Sequence, residues 1–372
     1  MKFLLTIGIS IVLIPLLIEY FLLIPNYQPL TKSLPQTKIL ESSGLILSDS
    51  GTLRYSGYQT SNPLKWNPSS TILQSFRLKQ WDFYGFYSKN LTLCIALADI
   101  GYIKNVFITV YNGKTEPMTY DKLIFPWEKV QMSQGPEEGD SFYYSDDFII
   151  NFANNKGGVK KIFARSKEVD LDLILRKRSG QEEMAYYGAF NKDMSQFAYT
   201  NKAYNYIVDG NVRIGNDNVR VNDLLAMMDW TRGIWPYQGG WKWMSGMGRY
   251  DGKDISINLG EISYEREFNQ ATDDCVYINE HVIKLGNVNM NQDPDNDNIW
   301  HIYTINSKPT PNYSSFQGTF TVSKIFNKQV NFWLIQSYLY QHFGEIEGTL
   351  TTTHETLYFK IQGIFERHFT RW

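Results

Sequence analysis

What most constrains this chain is a recurrence of short strand-like runs, each cut off by turn residues, from about Ile46 to its end. Residues 105–111 are rich in β-branched and aromatic side chains, which suit a pleated surface. In residues 170–176, alternation puts Leu171, Leu173 and Leu175 on one face. Residues 212–214 and 219–221 flank a Gly-Asn-Asp-Asn turn and read as a hairpin. Further runs follow at 318–322, 330–334 and 356–361. An aromatic content of 15% favours the same reading. The expectation is an all-β protein of two barrels or sandwiches, over residues 46–185 and 186–372. One short helix is expected at residues 222–228, capped by Asn222. The polar runs at 134–140 and 291–298 read as exposed loops.

Residues 229–248 stand apart. They hold Trp230, Trp235, Trp241 and Trp243, four of the ten tryptophans, together with Tyr237 and five glycines. Large flat side chains bury much apolar area and keep one polar atom that wants a partner. The stretch reads as an ordered aromatic loop closing the mouth or seam of a β-structure, with Asp229 and Arg232 as its charged pair.

The N-terminal stretch differs in kind. Residues 3–25 are almost wholly apolar, interrupted by Pro15 and Glu19. As a helix they span roughly 34 Å at about 1.5 Å per residue, enough for a bilayer core. The expectation is a single-pass anchor over residues 1–27, with the bilayer as a partner. The mitochondrial inner membrane and a secretory-pathway membrane are both open as its location, and Lys2 against Lys32 and Lys38 leaves orientation open. Residues 28–45, with Pro29 and Pro35, read as a linker.

Several classes find no support. With 36 basic and 38 acidic residues the chain carries no basic excess for nucleic acid. Cys94 and Cys275 form no disulfide framework, and Cys94 lies in an apolar run that suggests burial. The five histidines lack metal-ligand spacing, and no phosphate-binding loop or nucleophile elbow occurs. No metal or cofactor is expected.

Four blocks resemble, in order, the domain of unknown function numbered 2804. They are Arg77-Leu-Lys-Gln-Trp-Asp-Phe-Tyr with Ala98-Asp-Ile-Gly-Tyr; Asp229-Trp-Thr-Arg-Gly-Ile-Trp-Pro-Tyr with Trp241-Lys-Trp and Asn258-Leu-Gly; Gln341-His-Phe-Gly-Glu-Ile-Glu-Gly; and the ending Gly363-Ile-Phe-Glu-Arg-His-Phe-Thr-Arg-Trp. That family has no settled activity. It is similar, more distantly, to the carotenoid hydratase and tocopherol cyclase group. That likeness implies paired lipocalin-like (calycin) antiparallel barrels that hold prenyl chains, and chemistry in which a buried carboxylic acid protonates an alkene.

Such an acid must stay protonated near neutral pH, which an apolar pocket achieves. Asp229 is the candidate, with Trp230, Trp235, Trp241 and Trp243 as faces for a passing cation. Pairing with Arg232 would instead keep Asp229 ionised and structural. Asp82 and Asp99 could line a cavity or close turns. Glu366 and His368, two apart, share a face on a strand. Tyr237 joins the ligand-binding candidates. The first expectation is a non-catalytic membrane-anchored protein that binds a lipid or prenyl ligand, or serves as an accessory subunit beside other subunits of a membrane assembly. The alternatives are a prenyl-lipid hydratase or cyclase acting through Asp229, and a carbohydrate-binding or carbohydrate-processing protein using Asp82 and Asp229 as its carboxylate pair.

Overall fold

In a computed structural model, the chain forms two curled antiparallel sheets with almost no helix. The structure describes residues 33–68, 76–155, 157–262, 268–306, 308–332 and 334–371. The anchor expected over residues 1–27 lies outside these. Among the described residues no helix is long and apolar enough to cross a membrane.

The first sheet contains β1 Gly57–Gln59, β2 Leu78–Ser88, β3 Leu91–Asp99, β4 Lys104–Tyr111, β5 Met118–Ile124, β6 Val130–Gln131 and β7 Ser141–Tyr144. It continues with β8 Ile149–Asn155, β9 Val159–Arg165, β10 Val169–Arg176, β11 Met184–Ala189, β12 Phe197–Ile214, β13 Asp217–Val219 and β14 Leu225–Ile234. The second holds β15 Gln238–Tyr250, β16 Lys253–Ile262, β17 Cys275–Ile278, β18 His281–Lys284, β19 Val288–Gln292, β20 Ile299–Thr304, β21 Ser315–Asn331, β22 Gln336–Thr351 and β23 Thr356–Arg371. The main path of the first sheet runs β5-β4-β3-β2-β14-β12-β10-β9-β8-β7-β6, and the second runs β18-β17-β16-β15-β23-β22-β21-β20-β19.

Alternation explains most of this. Leu171, Leu173 and Leu175 are fully buried on one face of β10. Residues 212–219 form the expected hairpin. The sheets divide between Ile234 and Gln238, so β12 and β14, beyond the expected boundary at 185/186, hydrogen-bond into the first sheet. The expected helix at 222–228 is a single 3-10 turn, Val221–Asp223, running into β14. Pairing of β14 with β2 and β12 overrides the local helical pattern there.

The stretch expected to be an aromatic loop is instead two strands, β14 and β15, joined by a short crossing at 235–237 that carries the chain from one sheet to the other. Residues 33–45, read as a linker, are strapped over both sheets. Lys38 bridges to Tyr58 of β1, while the buried Gln36 binds Asn287 at 2.8 Å and Thr272 at 3.1 Å beside the second. Each sheet packs its own apolar core, around Leu173 and Tyr199 in the first and around Ile257 and Phe365 in the second. A third cluster, including Phe83, Trp243 and Phe343, fills part of the space between them.

Candidate functional site

Between the sheets lies a cavity of about 250 Å³, walled by β2–β5, β12 and β14 on one side and by β15, β16 and β21–β23 on the other. Strand alternation decides which candidates reach it. On β14, Asp229 and Thr231 point into the cavity, whereas Met228 and Trp230 point into the first sheet's own core. Residues three apart on a strand face opposite ways. The expected Asp229–Arg232 pair therefore does not form.

Arg232 pairs instead with Asp82, also expected near the ligand, at 2.7 Å behind the cavity wall. The guanidinium also donates to the backbone oxygens of Trp81 and Ser133, each at 3.1 Å, and lies 3.9 Å from the centre of the Trp230 ring. Ser133 and Ser141 hydroxyls donate to Asp82, and the Trp230 indole N–H donates to Ser133 Oγ at 2.8 Å. Asp82, Trp230 and Arg232 thus form a buried knot behind the cavity wall and do not line the cavity. Asp99 also faces away from the cavity, where its carboxylate accepts the Gly101 N–H at 2.8 Å in a turn. Tyr237 is exposed and donates to the backbone oxygen of Leu334. Asp82 and Asp229 lie on opposite faces of the first sheet, so the two carboxyls do not face one shared space as a glycosidase pair does.

The remaining candidates converge. Trp235, Trp241, Trp243, Asp229, Glu366 and His368 all line the cavity. Trp81, which sequence reasoning passed over, stacks on Trp241 at 5.8 Å and meets Trp235 at 5.5 Å. The Trp235 and Trp241 rings are 5.6 Å apart, and Phe83 meets Trp243 edge-on at 5.3 Å.

In one patch of this largely apolar hollow, three charged groups meet. Lys202 of β12 lies 3.0 Å from Asp273 and 3.4 Å from Asp229, and 4.8 Å above the Trp243 ring. Thr231 donates to the other Asp229 oxygen at 2.7 Å. Burial disfavours the Lys202 ammonium, yet the two carboxylates more than offset this and hold its pKa above the ordinary value. Burial likewise works against the Asp273 carboxylate, but Lys202 and Asn258 outweigh it and hold Asp273 low. Asp229 keeps a raised pKa because its burial exceeds what Lys202 and Thr231 return. Neither Lys202 nor Asp273 was among the sequence candidates. A lysine inside the aromatic run of β12 is the one signal that pointed there.

Glu366 differs from Asp229. It is buried, and burial pushes its pKa up to about 7, with Asp229 adding to the rise and Gln341 and Lys202 opposing it. Gln341 Nε2 donates to Oε1 at 2.8 Å and Trp241 also donates to the carboxyl. Its nearest partners are therefore neutral, and near pH 7 it exists as acid and carboxylate in comparable amounts. His368 shares its face, as alternation requires. Burial drives its pKa down to about 3, Ser337 Oγ lies 2.7 Å from Nε2, and Trp241 meets its ring at 4.5 Å. Near neutral pH the imidazole is uncharged. Among the described residues no group of three or more His, Cys, Asp or Glu side chains is placed to hold a metal ion.

The model of a domain of unknown function, DUF2804, matches residues 36–372. The chain belongs to the DUF2804 family. No curated protein matches it. Among solved structures this DUF2804 protein is similar to CghA, with a TM-score of 0.51 at 9% identity over 79% of this chain and 88% of that one. It is also similar to a putative AttH from Nitrosomonas europaea, with a TM-score of 0.47 at 12% identity over 78% and 92% of the two chains. Kievitone hydratase from Nectria haematococca gives 0.41 at 10% identity over 78% and 88%. The likeness to CghA extends to the fold.

Proposed function

We propose that this DUF2804 protein is a lipocalin-like β protein that takes a compact, largely apolar alkene between its sheets and protonates it from Glu366, as a hydratase or cyclase. The observation that carries this reading is a buried carboxyl on the cavity wall, held near pKa 7, with neutral hydrogen-bond partners and an indole at its side. General acids work best when their pKa lies near the working pH. Asp229, the earlier candidate, is tied to Lys202 and suits a fixed carboxylate better. A binding protein needs only the hollow; the poised acid is the feature it leaves unused.

The step is a proton transfer from Glu366 to one alkene carbon, leaving a carbocation on the other. Tryptophan faces stabilise that charge, helped by a patch in which one ammonium opposes two carboxylates. Water, or a hydroxyl of the same ligand, adds to the cation and returns its proton to the Glu366 carboxylate. A cavity of about 250 Å³ falls just below the range of about 300–1,000 Å³ usual for small-molecule sites, so it suits a compact terpenoid or one end of a longer prenyl chain. The apolar residues 3–25 support tethering of the protein to a membrane.

The test is incubation with a panel of isoprenoid alkenes in D₂O, with mass spectrometry of both the ligands retained and the products released. Deuterium on carbon in a released product, or in a retained alkene by reversal of the protonation, abolished in Glu366→Gln, is expected. An alkene that binds while neither it nor any product gains deuterium, or uptake that persists in Glu366→Gln, would overturn the proposal.

A further inference from the structure

We infer that the mouth of the cavity is a membrane-docking surface, setting the open end of the hollow against the lipid of a bilayer. The strand ends around this mouth turn bulky apolar side chains to solvent. Phe332 lines the cavity and is 58% exposed, and Leu334, in the same turn between β21 and β22, is equally so. The hydroxyl of the exposed Tyr237 ties the sheet crossing to that turn, at 2.6 Å from the Leu334 oxygen. Tyr237 is within electrostatic reach of Tyr102, whose ring lies 5.4 Å from the exposed ring of Phe76. Tyr102 stands between Ile100 and Ile103, both of which line the cavity. On the same sheet, next to the Ile100–Ile103 loop, β5 ends at Ile124 opposite Lys104, and the chain continues into Phe125, stacked at 4.8 Å on Trp127. Trp127 is 80% exposed.

Single exposed apolar residues are ordinary on a protein surface, but a series of them around the opening of an apolar hollow is not. Two observations select lipid as the occupant. Arg77, next in sequence to Phe76, and Lys129, two residues after Trp127, are exposed, so cations accompany the aromatic rings as they do at a headgroup boundary. The path of the chain points the same way. Leu34 is fixed by Asn287 at 2.8 Å, next to Val288; Val288 and the cavity-lining Gly260 both donate to Asp274. Only residues 26–33 separate this point from the apolar stretch 3–25. Eight residues reach at most about 28 Å at about 3.5 Å each, so a bilayer holding that stretch lies within touching distance of the body. An apolar ligand then passes from the acyl phase into the cavity without crossing water.

The test uses the full chain with Leu334→Cys carrying an environment-sensitive fluorophore. Cys94 and Cys275 are fully buried and do not compete for the label. Tyr358→Cys, at the start of β23, is the control, since the cavity is lined by the other end of that strand. On dilution into phosphatidylcholine–phosphatidylserine vesicles, a blue shift at position 334 and none at 358 is expected, with the position-334 shift lost when Trp127→Asp and Phe332→Asp are added. Equal shifts at both positions, or none at 334 while the protein floats with the vesicles, would overturn the inference. So would a shift at 334 that grows with protein concentration in the absence of lipid, which would assign the face to a second copy of the chain. The readout is independent of turnover: Glu366→Gln leaves the shift unchanged even if the proposed chemistry fails.

Discussion

Replacing Asp82 by Asn separates a structural from a catalytic role for that residue, and its cost follows from the knot around Arg232. The substitution nearly preserves shape but leaves a fully buried guanidinium facing a neutral amide. Removing one partner of a buried ion pair costs about 3–5 kcal/mol. At about 2–4 °C per kcal/mol for a unit the size of the first sheet, the melting temperature falls by roughly 6–20 °C. Arg232→Met should cost less, because the orphaned carboxyl can take up a proton while a guanidinium cannot lose one. The double variant should recover much of the loss, since with both partners neutral no uncompensated charge is left buried. Thermal and urea melts of the four proteins form a double-mutant cycle. An Asp82→Asn melting point within about 2 °C of the parent, or costs that simply add in the double variant, would refute the reasoning.

The acid in the cavity makes stability depend on pH. Between its ordinary value of 4.5 and about 7, Glu366 stays protonated in the folded state while the unfolded chain has released its proton. Stability contributed by this group is therefore lost as pH rises through that window, on the order of 3 kcal/mol in all. Glu366→Gln should flatten the slope of urea midpoints between pH 5 and 8; an unchanged slope would contradict the assignment. Burial also lifts Asp274 to about 7, so part of the slope should survive. Lys202→Met strips the counter-ion from Asp229 and Asp273 and should cost about 3–5 kcal/mol at pH 8. It should cost less at pH 5, where the carboxyls can neutralise themselves; melts showing a loss independent of pH would refute that account.

Much of the architecture was legible because strands advertise themselves by period. Leu171, Leu173 and Leu175, the hairpin at 212–219 and the shared face of Glu366 and His368 all follow from counting by two. The same rule, applied to 229–232, would have separated Asp229 from Arg232; the density of tryptophan and glycine there disguised two strands as a loop. Lys202, Asp273 and Gln341 could not be joined from sequence, because their proximity to Asp229 and Glu366 depends on strand pairing and on how two sheets face each other. Asp229 and Glu366 differ in their partners, an ammonium for one and an amide for the other, which composition does not reveal.

The cavity draws its two sides from opposite halves of the chain, before and after the crossing at 235–237. Neither half walls this cavity alone, so any occupant is gripped jointly and its affinity should resist their parting. Divergence has a freer hand: descendants can reshape one side for a new guest while the other keeps Glu366 unaltered.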